Sequence, residues 1–358
     1  MTAFVYEALP GRILFGAGVA RARLEEELAA IGAQRVLLIV TGRSEALAKE
    51  LVEPFAERIS GTFTDVRPHV PVETANAARA VATECGAQAV LSIGGGSTTG
   101  TAKAVAMTTG LPIVAVPTTY AGSEVTPVWG LTEGHRKTTG RDVAVLPRTV
   151  LYDPELTVTL PPDLSASSGM NALAHCLEAF WAPGANPVTS LAAEDGIRAL
   201  ARGLPGIVAD PRDLSARSDA LYGAYLAGAA FAVAGSSVHH KICHVLGGAY
   251  ELPHAPTHAV VLPHVLLLMA PALPDVEARI AQALGSSPGG AVSALVALSR
   301  RLGAPATLRE VGLREDDLEH AADLVLEKLP ADGPVPLGRA AVAALLDGAW
   351  RGAPQEQS

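Results

Sequence analysis

The chain has 358 residues, 49% of them hydrophobic, and a formal net charge of −9. That length is too great for one small core, and that apolar content too high for wholesale disorder. The acidic balance, with no basic run, argues against a nucleic-acid surface. Three cysteines, Cys85, Cys176 and Cys243, are far apart and odd in number. A disulfide framework and a zinc ribbon are therefore poor readings, and a reducing cytoplasm fits. The N-terminus lacks the basic-then-apolar layout of a signal peptide. The most apolar stretches, 224–234 and 259–273, are short or broken by proline and histidine, so no bilayer span is expected.

Residues 12–16 suggest a short strand, and VARARLEEELAAIGA after them has helical spacing that stops near Gly32. The run at 35–40, RVLLIV, suits a strand buried on both faces. A helix is expected over 44–59, a strand at TFTDV (62–66) and a helix at VETANAARAVATECGA. AVLSIGGG is a second buried strand, TTGTAKAVAMTTG a helix and PIVAVPTT a further strand. This alternation predicts a parallel sheet with helices on both sides. After Asp153-Pro154 the composition turns to Ala/Leu-rich helical segments, at about 166–181, 188–203, 213–234, 236–249, 256–270, 274–284, 289–303, 314–328 and 337–349. The expected division is an α/β nucleotide-binding domain over 1–155 and an all-helical catalytic domain over 156–358. Only the tail GAPQEQS looks loose.

Gly94, Gly95, Gly96 and Ser97 follow a strand and open a helix. Glycines let a backbone approach a pyrophosphate closely, and the N–H groups of the following helix hold its charge. The form GGGSTTG departs from GxGxxG, and a tight turn without a ligand is the plain alternative. A second polar turn, Pro117 to Glu124, follows the next strand. Ligands gather at the carboxyl ends of parallel strands, so the two turns support each other.

Six of the ten histidines, His239, His240, His244, His254, His258 and His264, fall between Ser236 and His264. His240 and His244 are four apart, as are Asn171 and His175, so each pair shares a helix face. His254 is expected in a loop, with a helix beginning near His258. Neutral imidazole ligates metals and carries protons near neutral pH. His69, His135 and His320 stand alone and read as structural. His239 points off the face shared by His240 and His244 and also reads as structural. His264 could be either.

The segments GGGSTTGTAKA, PTTYAGSEVTPVWGLTE, GMNALAHCLEAFW, HHKICHVLGG and LPHAPTHAVVLPH together resemble the iron-containing (group III) alcohol dehydrogenase superfamily. The resemblance runs in order from about residue 10 to 350. PTTYAGSEVTPVWGLTE with KTTGRDVAVLPRTVLYDP is most similar to its maleylacetate reductase branch. The resemblance implies an α/β nucleotide-binding domain, an all-helical domain and an active site in the cleft between them. It assigns the cofactor pyrophosphate to Gly94, Gly95, Gly96 and Ser97, and places Thr118, Thr119 and Ser123 along the cofactor. Metal-dependent relatives bind Fe²⁺ or Zn²⁺ through an Asp and three His, whose positions fall here on Asn171, His175, His240 and His254. His244 matches a further active-site histidine.

An amide at Asn171 removes the one anionic ligand and leaves a weaker donor. His175, His240 and His254 would still hold zinc with an open position. The resemblance to the maleylacetate-reducing branch implies function without a required metal, with Asn171, His175, His240, His244 and His254 as catalytic residues. NADH, NADPH or both are expected, since no acid follows the strand at 35–40 and Arg43 stands beside Gly42. The substrate is expected to be a small dicarboxylate, with Lys241, Arg136, Lys137 and Arg141 as possible cations for it. The resemblance also implies a cytoplasmic homodimer. The alternative is a metal-dependent alcohol or polyol dehydrogenase on the same fold.

Overall fold

The computed structural model describes residues 3–134, 136–329, 333 and 335–352. His135, the side chain of Arg136 and tail residues 353–358 lie outside the described residues. The chain forms two compact units, Leu9–Leu160 and a second that joins Met1–Ala8 to Pro161–Ser358.

In the α/β unit the strands are β1 (Arg12–Phe15), β2 (Val36–Val40), β3 (Ile59–Phe63), β4 (Ala89–Gly94), β5 (Ile113–Pro117), β6 (Val128–Glu133), β7 (Arg136–Arg141) and β8 (Thr149–Tyr152). The helices are α1 (Val19–Ala30), α2 (Glu45–Val52), α3 (Val72–Glu84) and α4 (Gly96–Thr109). Six strands make a wholly parallel sheet in the order β1-β8-β5-β4-β2-β3. On β2, Leu38 and Val40 pack with Leu24 and Leu28 of α1 and Leu51 of α2. Leu37 and Ile39 pack on the opposite face with Ala78 of α3 and Ala102 and Val105 of α4. Both faces are covered, which is why β2 reads as an unbroken apolar run.

After β3 the chain returns to the other side of β2, so β2 and β4 flank a topological switch point. A ligand of an open parallel sheet binds outside the carboxyl ends of such strands. Those ends lead here into Thr41-Gly42 and Gly94-Gly95. Gly94 also stands in register with Pro117, so the two polar turns leave the sheet at one level.

Three local expectations change. The single helix expected over 44–59 is a short helix between two 3-10 turns, Gly42–Ser44 and Glu53–Arg58. Pro54 cannot supply a helical N–H, and Phe55 leaves helical geometry at φ −137°. β3 consequently starts at Ile59, ahead of the expected 62–66. The antiparallel β6–β7 hairpin and β8 have no counterpart in the sequence reading. β8 is four residues long, too short for a periodic signal, yet it is buried between β1 and β5.

The helical unit contains α5 (Pro162–Glu178), α6 (Pro187–Ala209), α7 (Leu214–Ala234), α8 (Val238–Tyr250), α9 (His254–Met269), α10 (Pro274–Ala283), α11 (Ala291–Arg301), α12 (Leu318–Lys328) and α13 (Arg339–Arg351). α6 and α7 approach closely at Gly203, where a Cβ would stand 2.6 Å from the Ala220 nitrogen. α9 is apolar along its length, and most of it is buried within its own unit. His254 is the first residue of α9, correcting the loop expected there; Pro253 caps the helix in extended geometry.

Candidate active site

The glycine turn is tight for a steric reason. A Cβ at Gly94 would lie 2.4 Å from Thr98 Oγ1, and one at Gly95 2.8 Å from Thr119 Cγ2. Gly94 also has φ +154°, where side chains are strained. Gly95 caps α4 without any side-chain hydrogen bond to its first N–H groups. Those donors and the helix dipole make an anion site. The Thr118 N–H donates to the Gly94 carbonyl at 3.0 Å, joining the second turn to the first. Gly95, Gly96, Ser97, Thr118, Thr119 and Ser123 are all partly exposed and open to a ligand. Arg43 is exposed just beyond β2.

In the helical unit, α5 presents Asn171 and His175, α8 presents His239, His240 and His244, and α9 presents His254 and His258. The rings form a connected row. Ring centres are 5.0 Å apart for His175–His240, 6.0 Å for His240–His244 and 6.1 Å for His244–His254. His258 stands inside the row, 4.4 Å from His254 and 4.8 Å from both His239 and His240. Phe231 of α7 covers His175 and His240, at 4.5 and 4.7 Å. Exposure grades along the row: His239 and His258 are fully buried, His254 is half-buried and His244 is exposed. Burial lowers His175 to about 4 and His239 to about 3, and takes His240 and His258 well below the usual imidazole range. These four rings are neutral at pH 7.

Glu178 anchors this row. It follows His175 by three residues and Asn171 by seven, so all three share one face of α5. Its carboxylate is fully buried and accepts from the backbone N–H groups of Ser237 (3.0 Å), His239 (2.7 Å) and His240 (3.3 Å). It thereby caps α8, whose own N-cap side chain makes no such bond. Its Oε2 also lies 2.5 Å from His240 Nδ1. With the shared proton on Nδ1, Nε2 of His240 presents a lone pair. Burial pushes the Glu178 carboxyl up to about 7, against the downward pull of its backbone donors.

Asn171 Oδ1, His175 Nδ1 and His240 Nε2 are buried without a hydrogen-bond partner among the described residues. Two imidazoles on one tetrahedral ion, with metal–nitrogen bonds of about 2.1 Å, have ring centres about 5 Å apart. The His175–His240 spacing meets that, and the Glu178–His240 contact is the usual support for a ligating histidine. His175 and His240 are therefore spaced to share a divalent ion, to which Asn171 would bring no negative charge. His239, Cys243 and His258 also place ligand atoms within 4.8 Å of one another. That trio reads as packing. His239 Nε2 and His258 Nδ1 already share a hydrogen bond of 2.9 Å, and burial holds the Cys243 thiol protonated.

The structure thus brings together His175, His240, His244 and His254. His264 lies apart, beneath Gly348 of α13. Of the suggested substrate cations, Lys241 is on α8, and Lys137 and Arg141 are on β7. Glu178 escaped the sequence reading, which counts His258 in the histidine cluster but gives it no role. Helical spacing from Asn171 and His175 was the available signal for Glu178. The four-residue offset of His258 from His254 is plain in the sequence, but with His254 expected in a loop it did not place the two on one helix face.

Residues 10–154 match the family profile described as "Iron-containing alcohol dehydrogenase", and residues 165–350 match "Fe-containing alcohol dehydrogenase family, C-terminal". The chain is 47% identical over 351 residues to a maleylacetate reductase of Sphingobium indicum, covering 98% of each. It is similar to the crystal structure of maleylacetate reductase from Agrobacterium tumefaciens, with TM-score 0.94, 41% identity, and 99% of this chain and 100% of that one covered. A sulfoacetaldehyde reductase from Bifidobacterium kashiwanohense, solved in complex with NAD+, aligns with TM-score 0.88 and 25% identity over 97% of this chain and 98% of that one. The chain belongs to the iron-containing alcohol dehydrogenase family and is an oxidoreductase.

Proposed function

We propose that this enzyme is a maleylacetate reductase, which reduces the carbon–carbon double bond of maleylacetate to give 3-oxoadipate during the breakdown of aromatic compounds. The observation that carries this reading is the 47% identity, end to end, with a maleylacetate reductase. The cofactor is NADH or NADPH, and Arg43, with no acid beside it, leaves room for a 2′-phosphate. We also propose a cytoplasmic homodimer that acts on a small dicarboxylate, with no nucleic-acid or membrane partner.

A nicotinamide held here would supply the hydride for the alkene carbon β to the ketone, so that the substrate would become an enolate. Backbone N–H groups of Gly94–Ser97 hold the pyrophosphate, and Thr118, Thr119 and Ser123 line the cofactor. His244 and His254, at the accessible end of the row, donate to the enolate oxygen and protonate the adjacent carbon. Glu178 fixes the ring and proton of His240, and Phe231 keeps water from His175 and His240. A 2-chloro substrate loses chloride after the same hydride addition. Asn171, His175, His240 and His254 are the residues that would hold a divalent ion, which would polarise the ketone oxygen. Turnover does not require it, since the site lacks an anionic ligand at Asn171.

The test is NADH and NADPH oxidation with maleylacetate beside a panel of alcohols, before and after chelation. Oxidation with maleylacetate that survives chelation is expected. Full loss restored by Fe²⁺ or Zn²⁺ overturns the metal-independent reading. Turnover of alcohols alone overturns the substrate.

A further inference from the structure

The α/β unit buries a cation that the cofactor reading leaves unused. Lys103 lies on α4, seven residues beyond Gly96, and is fully buried. Its ammonium donates to the Thr126 carbonyl at 2.7 Å, to Thr126 Oγ1 at 3.1 Å and to the Val128 carbonyl at 2.7 Å. A lysine ammonium has three N–H donors, and all three are engaged. The acceptors lie where the second polar turn runs into β6. That turn is held from another side by Tyr152 of β8, whose hydroxyl donates to Glu124 Oε1 at 2.7 Å.

Burying this charge is costly. Burial lowers Lys103 to about 7, against the upward pull of Glu124, itself buried. A leucine or methionine would fill such a site at no comparable cost. Packing alone does not call for lysine here. Three bonds to the base of one turn do, if the position of that turn matters.

We infer that Lys103 is a positioning residue for the cofactor: it ties the turn bearing Thr118, Thr119 and Ser123 to α4, so that both turns meet one dinucleotide. The inference rests on the proposed binding of the cofactor at the glycine turn. It adds a residue that touches no cofactor and sets the spacing of two segments that do.

The test titrates NADH fluorescence on the full chain and measures steady-state rates with maleylacetate. Lys103→Met is expected to raise the Kd for NADH about tenfold. kcat at saturating NADH and the KM for maleylacetate should stay within about threefold. A folded Lys103→Met protein that binds NADH as tightly as the parent, or that loses kcat with Kd unchanged, overturns the inference. If Lys103→Met does not fold by circular dichroism, Thr126→Val decides. It removes one of the three acceptors of Lys103, together with that hydroxyl's bonds to the Ser123 carbonyl and the Val128 N–H; weakening of about threefold is expected, whereas no weakening overturns the inference. Gly95→Val controls for the underlying reading, since its side chain would collide with Thr119. Intact NADH binding in Gly95→Val removes the glycine-turn site itself. Lost binding there with undiminished binding in Lys103→Met removes only the role of Lys103.

Discussion

Lys103 in the α/β unit and Glu178 in the helical unit are both buried among hydrogen-bond partners, and the two are used differently. Lys103 spends its three donors on two residues of a single segment, Thr126 and Val128. Glu178 likewise holds one segment, accepting from three backbone N–H groups at the start of α8. Glu178, however, keeps one further contact, with the ring of His240. The first charge is consumed by scaffolding. The second couples scaffolding to an ionisable group, so its removal should strike stability and chemistry together.

The largest effect should follow from Glu178→Ala. Three buried N–H groups would lose their acceptor, and His240 would lose the partner that fixes its proton. A loss of about 3–5 kcal/mol in unfolding free energy is expected by urea denaturation. Activity of the folded fraction should fall about 10- to 100-fold, as for other supports of active-site histidines. Full activity in a destabilised Glu178→Ala protein would reduce Glu178 to a helix cap and erase the difference from Lys103.

His244 tests the accessible end of the row. It is exposed, unlike His239, His240 and His258. His244→Ala should lower kcat roughly tenfold or more, the low end for losing a general acid. Its urea midpoint should match that of the parent, because a surface ring adds little to folding. An unchanged kcat would remove His244 from proton transfer and shift that role to His254.

The two units were not equally legible. In the α/β unit the signals are local: apolar runs at β2, β4 and β5, and glycines where a Cβ has no room. The carboxyl ends of those strands followed from the alternation of elements. β8 did not, because a four-residue strand acquires its place only from neighbours distant in the chain. In the helical unit the helices among the described residues were readable from composition. The meeting of rings was not, since it depends on how α5, α8 and α9 pack. Asn171, His175, His240, His244 and His254 were found through resemblance to a family pattern. Glu178 and His258 lie within the matching segments, but the resemblance assigns neither a role. Glu178 looks on the page like any helical acid, and Lys103 like any helical lysine. Only burial and partners distinguish them.

His264 separates the cost of burying a histidine from the function of the row. It is buried, its Nε2 has no partner among the described residues, and burial lowers it to about 4. Above its unfolded value, about 6.5, the ring is neutral in both states and nothing is lost. As pH falls from there toward 4, the unfolded chain binds a proton that the native ring refuses. Stability therefore declines with acid over that window, by at most about 1.4 kcal/mol per pH unit from this ring. His264→Gln should flatten the dependence of the urea midpoint on pH in that range and leave kcat nearly unchanged. An identical pH slope in parent and variant would assign the acid sensitivity to the histidine row, and so make the active site the acid-labile part of the helical unit.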